Sequence, residues 1–251
     1  ASVGDTATIS GTLYTVVDNT SIAGEIANAN YNLCTTKVTN MSELFLLNNG
    51  FNSDISFWDT SNVTSMKKMF WGAVSFNQDM SKWDVSNVTD MEGLFYQAEN
   101  FNQDIGNWDT SKVINMERVF QLANSFNQDI GNWDTSNVTS MLGLFLSNQS
   151  FNQNIGSWDV SKVTNMLWIF RASIFNKDIS NWDVSNVTSM EGAFHDNTSF
   201  NQNIGNWNTS KVIRMDRMFD GATSFNQNIG NWDISKVTNI SRMFHGASSF
   251  N

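Results

Sequence analysis

The sequence predicts a repeat solenoid of mixed α/β rungs, on three observations. Phe recurs at 51, 76, 101, 126, 151, 175, 200, 225 and 250, a step of 25 residues broken once by a step of 24 between Phe151 and Phe175. Trp follows seven residues after each of the first eight, from Trp58 to Trp232. Each unit then carries a Val-x-x-Met-x-x-(apolar)-Phe segment whose apolar residues, such as Val88, Met91, Leu94 and Phe95, fall at the spacing of a helical turn. A fixed period of this length marks stacked units, none of which can bury its apolar face alone.

Taken in chain order, residues 1–36 read as an N-terminal cap, which an array needs to cover its first open core face. Leu13–Val17 looks like a strand. Asp18 to Asn30 looks like a short helix, with Asp18 and Asn19 as N-cap candidates and Ile22, Ala23 and Ile26 on one face. Residues 37–251 form the array: a degraded first rung, eight full units and the start of a ninth. Val38, Met41 and Phe45 stand where Val63, Met66 and Phe70 stand one unit later, and Leu33 and Cys34 take the Trp and Asp places. No matching cap follows Phe250-Asn251, so either more chain follows or that end docks onto another chain.

Within a unit, Asn-Gln-(Asp/Asn)-Ile-(Gly/Ser)-x-Trp is compatible with a short extended strand, and Asp-(Thr/Val/Ile)-Ser-(Asn/Lys) is rich in turn formers. The Val-x-x-Met segment is expected to form one or two helical turns, α or 3₁₀, with Thr89–Glu92 and Thr188–Glu191 as capping boxes. Stacking strands about 4.8 Å apart would set each Phe, Trp, Val and Met on its copy. Asn52, Asn77, Asn102, Asn127, Asn152, Asn176, Asn201 and Asn226 would form an amide ladder. The Ser column from Ser61 to Ser235 would make a repeated buried hydrogen bond.

Composition narrows the function classes. The chain has 251 residues, 40% hydrophobic and 15% charged, with 19 Phe and 10 Trp. That is too aromatic for disorder. A net charge of −10 argues against a nucleic-acid partner, and no apolar run approaches the roughly 18 residues of a membrane span. The single Cys34 excludes an internal disulfide framework and a Cys-rich zinc site. No charged-then-apolar leader opens the sequence, which suits a mature product or a cytoplasmic protein, and composition does not choose between them.

The string Phe-Asn-Gln-Asp-Ile-x-x-Trp-Asp-x-Ser-x-Val-Thr-x-Met-x-x-Met-Phe-x-x-Ala resembles the repeat of BspA-type leucine-rich-repeat surface proteins, over residues 37–251. The cap is similar to the segment that precedes such arrays in marine Bacteroidota proteins. The resemblance implies a right-handed, leucine-rich-repeat-like coil, a secreted or cell-surface location, and adhesion or interaction roles. This chain departs from the family repeat in having no proline and in placing Trp where an aliphatic residue is usual. The rung shape, horseshoe or straighter column, is left open by that departure.

Positions that vary between units point to where recognition could sit. In common leucine-rich horseshoes the strand face varies; here it is nearly invariant. The variable residues lie instead on the helical edge, where they are expected to be exposed. Trp71, Tyr96 and Trp168 there are natural contact anchors, with Arg171 and His195 beside them in the same variable set. A second candidate is the repetitive polar face of Gln78, Asp79, Gln103, Asp104, Gln128 and Asp129, suited to a regular ligand through many weak contacts, or simply solvated. Asp59, Asp84, Asp109, Asp134, Asp159 and Asp183, with Asp233 and an exchange at Asn208, form an acidic column. It reads as a row of Asx turns, with calcium as the lesser alternative and no other cofactor implied.

Catalysis finds no support in the sequence. His195 and His245 occupy one place in units two apart, about 10 Å from each other, and are expected to be surface residues. Cys34 has no base at a known distance and reads as a small buried hydrophobe. The expected function is therefore a non-enzymatic module whose partner is a surface protein or an extracellular glycan. The alternative is a structural spacer or assembly subunit stacking through its open C-terminal rung.

Overall fold

A computed structural model describes residues 1–251. Regular secondary structure is confined to the cap: β1 (Thr6–Ile9), β2 (Thr12–Asp18), α1 (Ile22–Ala27) and β3 (Leu33–Lys37). The three strands form one sheet in the order β1-β2-β3, with β1 antiparallel and β3 parallel to β2. The β1–β2 hairpin, absent from the sequence reading, turns through Ser10 and Gly11, both at positive φ (49° and 83°). That two-residue loop fits the right-handed twist of the strands. Asp18 does not cap α1. Its Oδ1 accepts the N–H groups of Thr20 and Ser21, and Ser21 is the N-cap without a side-chain bond. Ile22 and Ile26 are buried.

Beyond Lys37 the units stack in sequence order. A single parallel bridge per unit runs from Asn40 to Ser65, Asp90, Asn115, Ser140, Asn165, Ser189, Arg214 and Asn239. The expected strand ahead of each Trp is not formed, and the bridge lies instead just before each Met, or before Ile240 in the last unit. The expected helical turn is not formed either. In its place two residues per unit, four apart, have positive φ: Lys68 (55°) and Gly72 (71°), Gly93 (61°) and Gln97 (55°), Trp168 (57°) and Ala172 (51°). Left-handed residues at such intervals cannot continue a right-handed helix.

The reason lies in how the backbone groups are shared. Met66, Lys68, Phe70 and Gly72 donate their N–H groups to the carbonyls of Asp90, Glu92, Leu94 and Tyr96 one unit on, while Met69, Trp71 and Ala73 donate three residues back within the unit. An α-helix would keep every N–H within its own segment. This alternation frees every second donor to hold the neighbouring unit. The capping boxes are replaced accordingly: Thr89 Oγ1 donates to the Thr64 carbonyl, and the Glu92 N–H is taken by Asp90 Oδ1 at 2.9 Å.

Side-chain columns fill the interior. Two Phe columns lie side by side, 3.9 Å between ring centroids within a unit (Phe70–Phe76, Phe120–Phe126) and 5.7–6.0 Å between units (Phe120–Phe145, Phe126–Phe151). The Trp rings stack nearly parallel, as Trp108 on Trp133 at 6.2 Å and 4°. Each indole N–H donates to a carbonyl in the preceding unit, Trp133 to Ile105 at 3.0 Å. The amide ladder forms with a refinement. Asn102 Oδ1 accepts both the Asn127 N–H and the Gln128 Nε2 group, so one Asn side chain satisfies two groups of the next rung. The Ser column is half-buried, and exposed at Ser235, rather than buried; its N–H groups bind the preceding Asp, or Asn208 at Ser210.

The short unit is absorbed without breaking these columns. Asn176 still donates to Asn152 Oδ1 at 2.9 Å, and the Trp182 indole still reaches the Ile155 carbonyl. Where most units have Ala, buried Asn148 and Asn197 bracket the short link. Asn148 Oδ1 takes the N–H groups of Ser150 and Phe151, and Asn197 Nδ2 reaches Ser173 Oγ and the Phe175 carbonyl. No helix is long and apolar enough to cross a membrane.

Candidate interaction surface

The variable residues are positioned by the alternating segment that replaces the helix. Trp71 lies against Gly93 and Tyr96 of the next rung, and Trp168 against Gly192. Trp71, Tyr96, Trp168, Arg171 and His195 are therefore half-buried, not exposed as the sequence suggested, and Leu146 and Asp220 in the same column are buried.

They form two separate groups. In the first, the Trp71 and Tyr96 rings stack at 3.7 Å and 10° with Lys68 Nζ 5.3 Å from the indole. Trp71 also lies across Gly93, where an added Cβ would come 2.6 Å from its ring. Glu92 closes this group with Lys67 at 2.7 Å, an ion pair between adjacent rungs that holds the Lys67 ammonium above its ordinary range. Trp168 begins the second group, four rungs and about 19 Å along the stack. Arg171 sits 5.6 Å over its ring, and Gly192 of the next unit receives the indole as Gly93 receives Trp71. Arg171 Nε is buried without a hydrogen-bond partner.

The two histidines are linked by a variable-edge residue that was expected to be exposed. Asp220 lies between them in the same column, 5% exposed. Its carboxylate meets His245 Nδ1 at 2.8 Å and Arg242 Nε at 3.0 Å, with His195 Nε2 at 4.0 Å. Burial alone would raise the Asp220 pKa, but the bonds from His245 and Arg242 and the nearby positive charge bring it below its ordinary value. Burial lowers the His195 pKa against the attraction of Asp196. His195 is thus half-buried; His245 alone matches the expected surface histidine. The signal was available in the sequence, since Asp220 falls between His195 and His245 in the aligned repeats.

The acidic column resolves into local turns. Asp109 Oδ1 accepts the Ser111 N–H at 3.0 Å, and Asp84, Asp134, Asp159 and Asp183 repeat the pattern. Asp59 Oδ1 takes both the N–H and the hydroxyl of Ser61. Hydrogen bonds from Ser86, Ser111 and Ser161 lower the pKa values of Asp84, Asp109 and Asp159. The structure brings no three His, Cys, Asp or Glu side chains together as a cation site. On the polar face, Gln103 and Gln128 are committed to the Asn ladder, while Asp79, Asp104 and Asp129 remain exposed.

One aromatic residue escaped the sequence reading. Phe57 stands where the other units have Lys82, Asn107, Asn132, Ser157, Asn181, Asn206 and Asn231, and it is 43% exposed. Edge-on to Tyr14 at 5.7 Å, it lines a cavity of about 300 Å³ with Ile9, Leu33 and Cys34. Cys34 is half-buried at this opening, not sealed in the core. A break in an otherwise polar column was the signal.

No curated protein matches the chain. A solved structure titled "Crystal structure of TLR13-ssRNA13 complex" aligns with 95% of this chain and 46% of its own at 10% identity, with a TM-score of 0.24, too slight a likeness to carry an inference. The family model described as "Mycoplasma protein of unknown function, DUF285" matches residues 13–125, 100–191 and 168–251. These overlapping matches run from the cap through the last unit, and the chain belongs to that family.

Proposed function

We propose that this chain is a non-enzymatic interaction module, secreted or held at a cell surface, that binds a surface protein or an extracellular glycan through its variable edge. In this reading the array is a right-handed, leucine-rich-repeat-like solenoid of the BspA type. The Mycoplasma origin named in the family description is consistent with a surface role. The observation that carries the proposal is the contrast within each rung: identical core columns hold a line of side chains that differ from unit to unit. That line includes the Trp71–Tyr96 stack and the Trp168–Arg171 pair. Aromatic faces with an adjoining cation suit both sugar rings and protein hot spots.

Binding to a glycan array and to whole cells tests this reading. The Trp71→Ala/Tyr96→Ala double variant and Trp168→Ala should each lose binding while the unfolding transition stays cooperative. Binding unchanged in both variants would defeat the proposal. A second reading is a purely structural spacer or assembly subunit stacking through its C-terminal rung, supported by the columns that repeat from unit to unit and that any further unit of the same repeat would continue.

A further inference from the structure

Along the variable edge, long side chains keep a period of two rungs. The first left-handed position of each unit is filled by Lys68, Arg118, Trp168 and Arg217 at φ 55–57°, and by Gly93, Gly143 and Gly192 in the units between. Each glycine leaves room for a side chain of the rung before it. An added Cβ would lie 2.6 Å from Trp71 at Gly93, 3.6 Å from the Arg118 stem at Gly143 and 2.7 Å from Trp168 at Gly192. The long residues therefore recur about 10 Å apart along the stack.

The charges on this edge do not cancel one another. From Glu92 to Asp220, the carboxylates at the variable positions are engaged within the protein. Glu92 pairs with Lys67, Glu117 accepts the Ser140 hydroxyl, Glu191 and Asp216 share Arg214, and Asp220 holds Arg242 and His245. Arg118, Arg171 and Arg217 enter no ion pair and no side-chain hydrogen bond, unlike Arg214 and Arg242. Arg171 shares the rung of Trp168, so the three unpaired guanidinium groups stand on rungs two apart. The net charge of −10 does not silence this row, because charges beyond about 8 Å are largely screened at physiological ionic strength.

We propose, on the interaction reading above, that the edge from Arg118 to Arg217 binds a linear β-linked polysaccharide with one carboxylate per disaccharide, laid along the stack. Two sugars of an extended β-linked chain cover about the distance of two rungs. Three successive carboxylates then meet Arg118, Arg171 and Arg217 in turn. A guanidinium donates two parallel N–H bonds to one carboxylate, which suits a charge of that shape. Arg171 is already held over the Trp168 ring, with its Nε buried and unbonded, so less freedom is lost when a ligand docks.

Calorimetric titration of the full chain tests this. The probes are a hexasaccharide of alternating glucuronate and N-acetylglucosamine, which carries three carboxylates, and its methyl ester, which carries none. The acid should bind and the ester should not. Arg118→Gln, Arg171→Gln and Arg217→Gln should each weaken Kd about fivefold while unfolding stays cooperative. Lys112→Gln removes the same charge away from the edge, where Lys112 donates to Asn87 Oδ1, and should leave Kd unchanged. Failure of the acid to bind, equal binding of the ester, or an equal loss in Lys112→Gln overturns the inference. A glycan or cell ligand that needs Trp71 or Trp168 but ignores all three arginines would keep the edge as the binding surface and end the anionic assignment. If no ligand depends on either set, both readings fall together.

Discussion

The interior columns and the variable edge are built from the same 25 residues yet obey different rules. In the columns, every unit offers the same side chain, and Phe120 and Phe126 lie between identical copies above and below. Along the edge, each residue meets something different on the next rung: Trp71 meets Tyr96 and Gly93, Lys67 meets Glu92, and Glu191 meets Arg214 at 2.6 Å. Repetition secures the fold where identical rings fit one another. Variation is tolerated where a side chain needs only a compatible neighbour, so the edge can change without disturbing the stack.

The largest effect should come from breaking a column. Phe126→Ala removes a ring packed against Phe120 and against Phe101 and Phe151, and should cost about 3–5 kcal/mol in urea unfolding. Asn127→Ala strips the acceptor from the Asn152 N–H and one of the two acceptors of Gln153 Nε2, and should cost about 1–3 kcal/mol by the same measurement. Gly93→Ala tests where the two regions touch. At φ 61° and 2.6 Å from the Trp71 ring, an added methyl should destabilise by about 1–2 kcal/mol. Combined with Trp71→Ala, part of that loss should return. Trp71→Ala alone loses one stacking pair and should cost about 1 kcal/mol. If it proves as damaging as Phe126→Ala, edge and core are not distinct.

The smallest effect is electrostatic. The folded pKa of His195 lies below its ordinary 6.5, so the unfolded chain takes up that proton first as pH falls. Stability should be level above about pH 7 and decline as the pH drops below 6.5, with a shallower decline in His195→Gln. Asp84, Asp109 and Asp159 act in a lower window. Their folded values are depressed below 3.8, so the stability they contribute is present above that value and lost as pH falls through their folded values.

The period and the columns were legible because each is written as residue identity at fixed spacing. The backbone between them was not. Val88, Met91, Leu94 and Phe95 show helical spacing, yet Met91, Gly93 and Phe95 donate to the next rung and Gly93 is left-handed. Burial on a narrow turn of any kind selects the same three- and four-residue spacing, so periodicity alone did not separate this segment from a helix. Variability between units identified the edge but overstated its exposure, because sequence cannot tell a side chain lying across its neighbour from one in solvent. Asp220 falls on the variable edge between His195 and His245 and was expected to be exposed; the contacts that bury it were not legible from variability alone.

The near-absence of helix and strand past Lys37 has a consequence for the bench. Far-ultraviolet circular dichroism reads repeated backbone geometry, and this chain offers a six-residue helix and three short strands. A rigid, fully packed molecule would therefore give a weak spectrum easily taken for an unfolded one. The parallel indoles would couple their transitions and add an aromatic signature that vanishes on melting. For relatives built on this repeat, that optical signal is a truer gauge of folding than helical content.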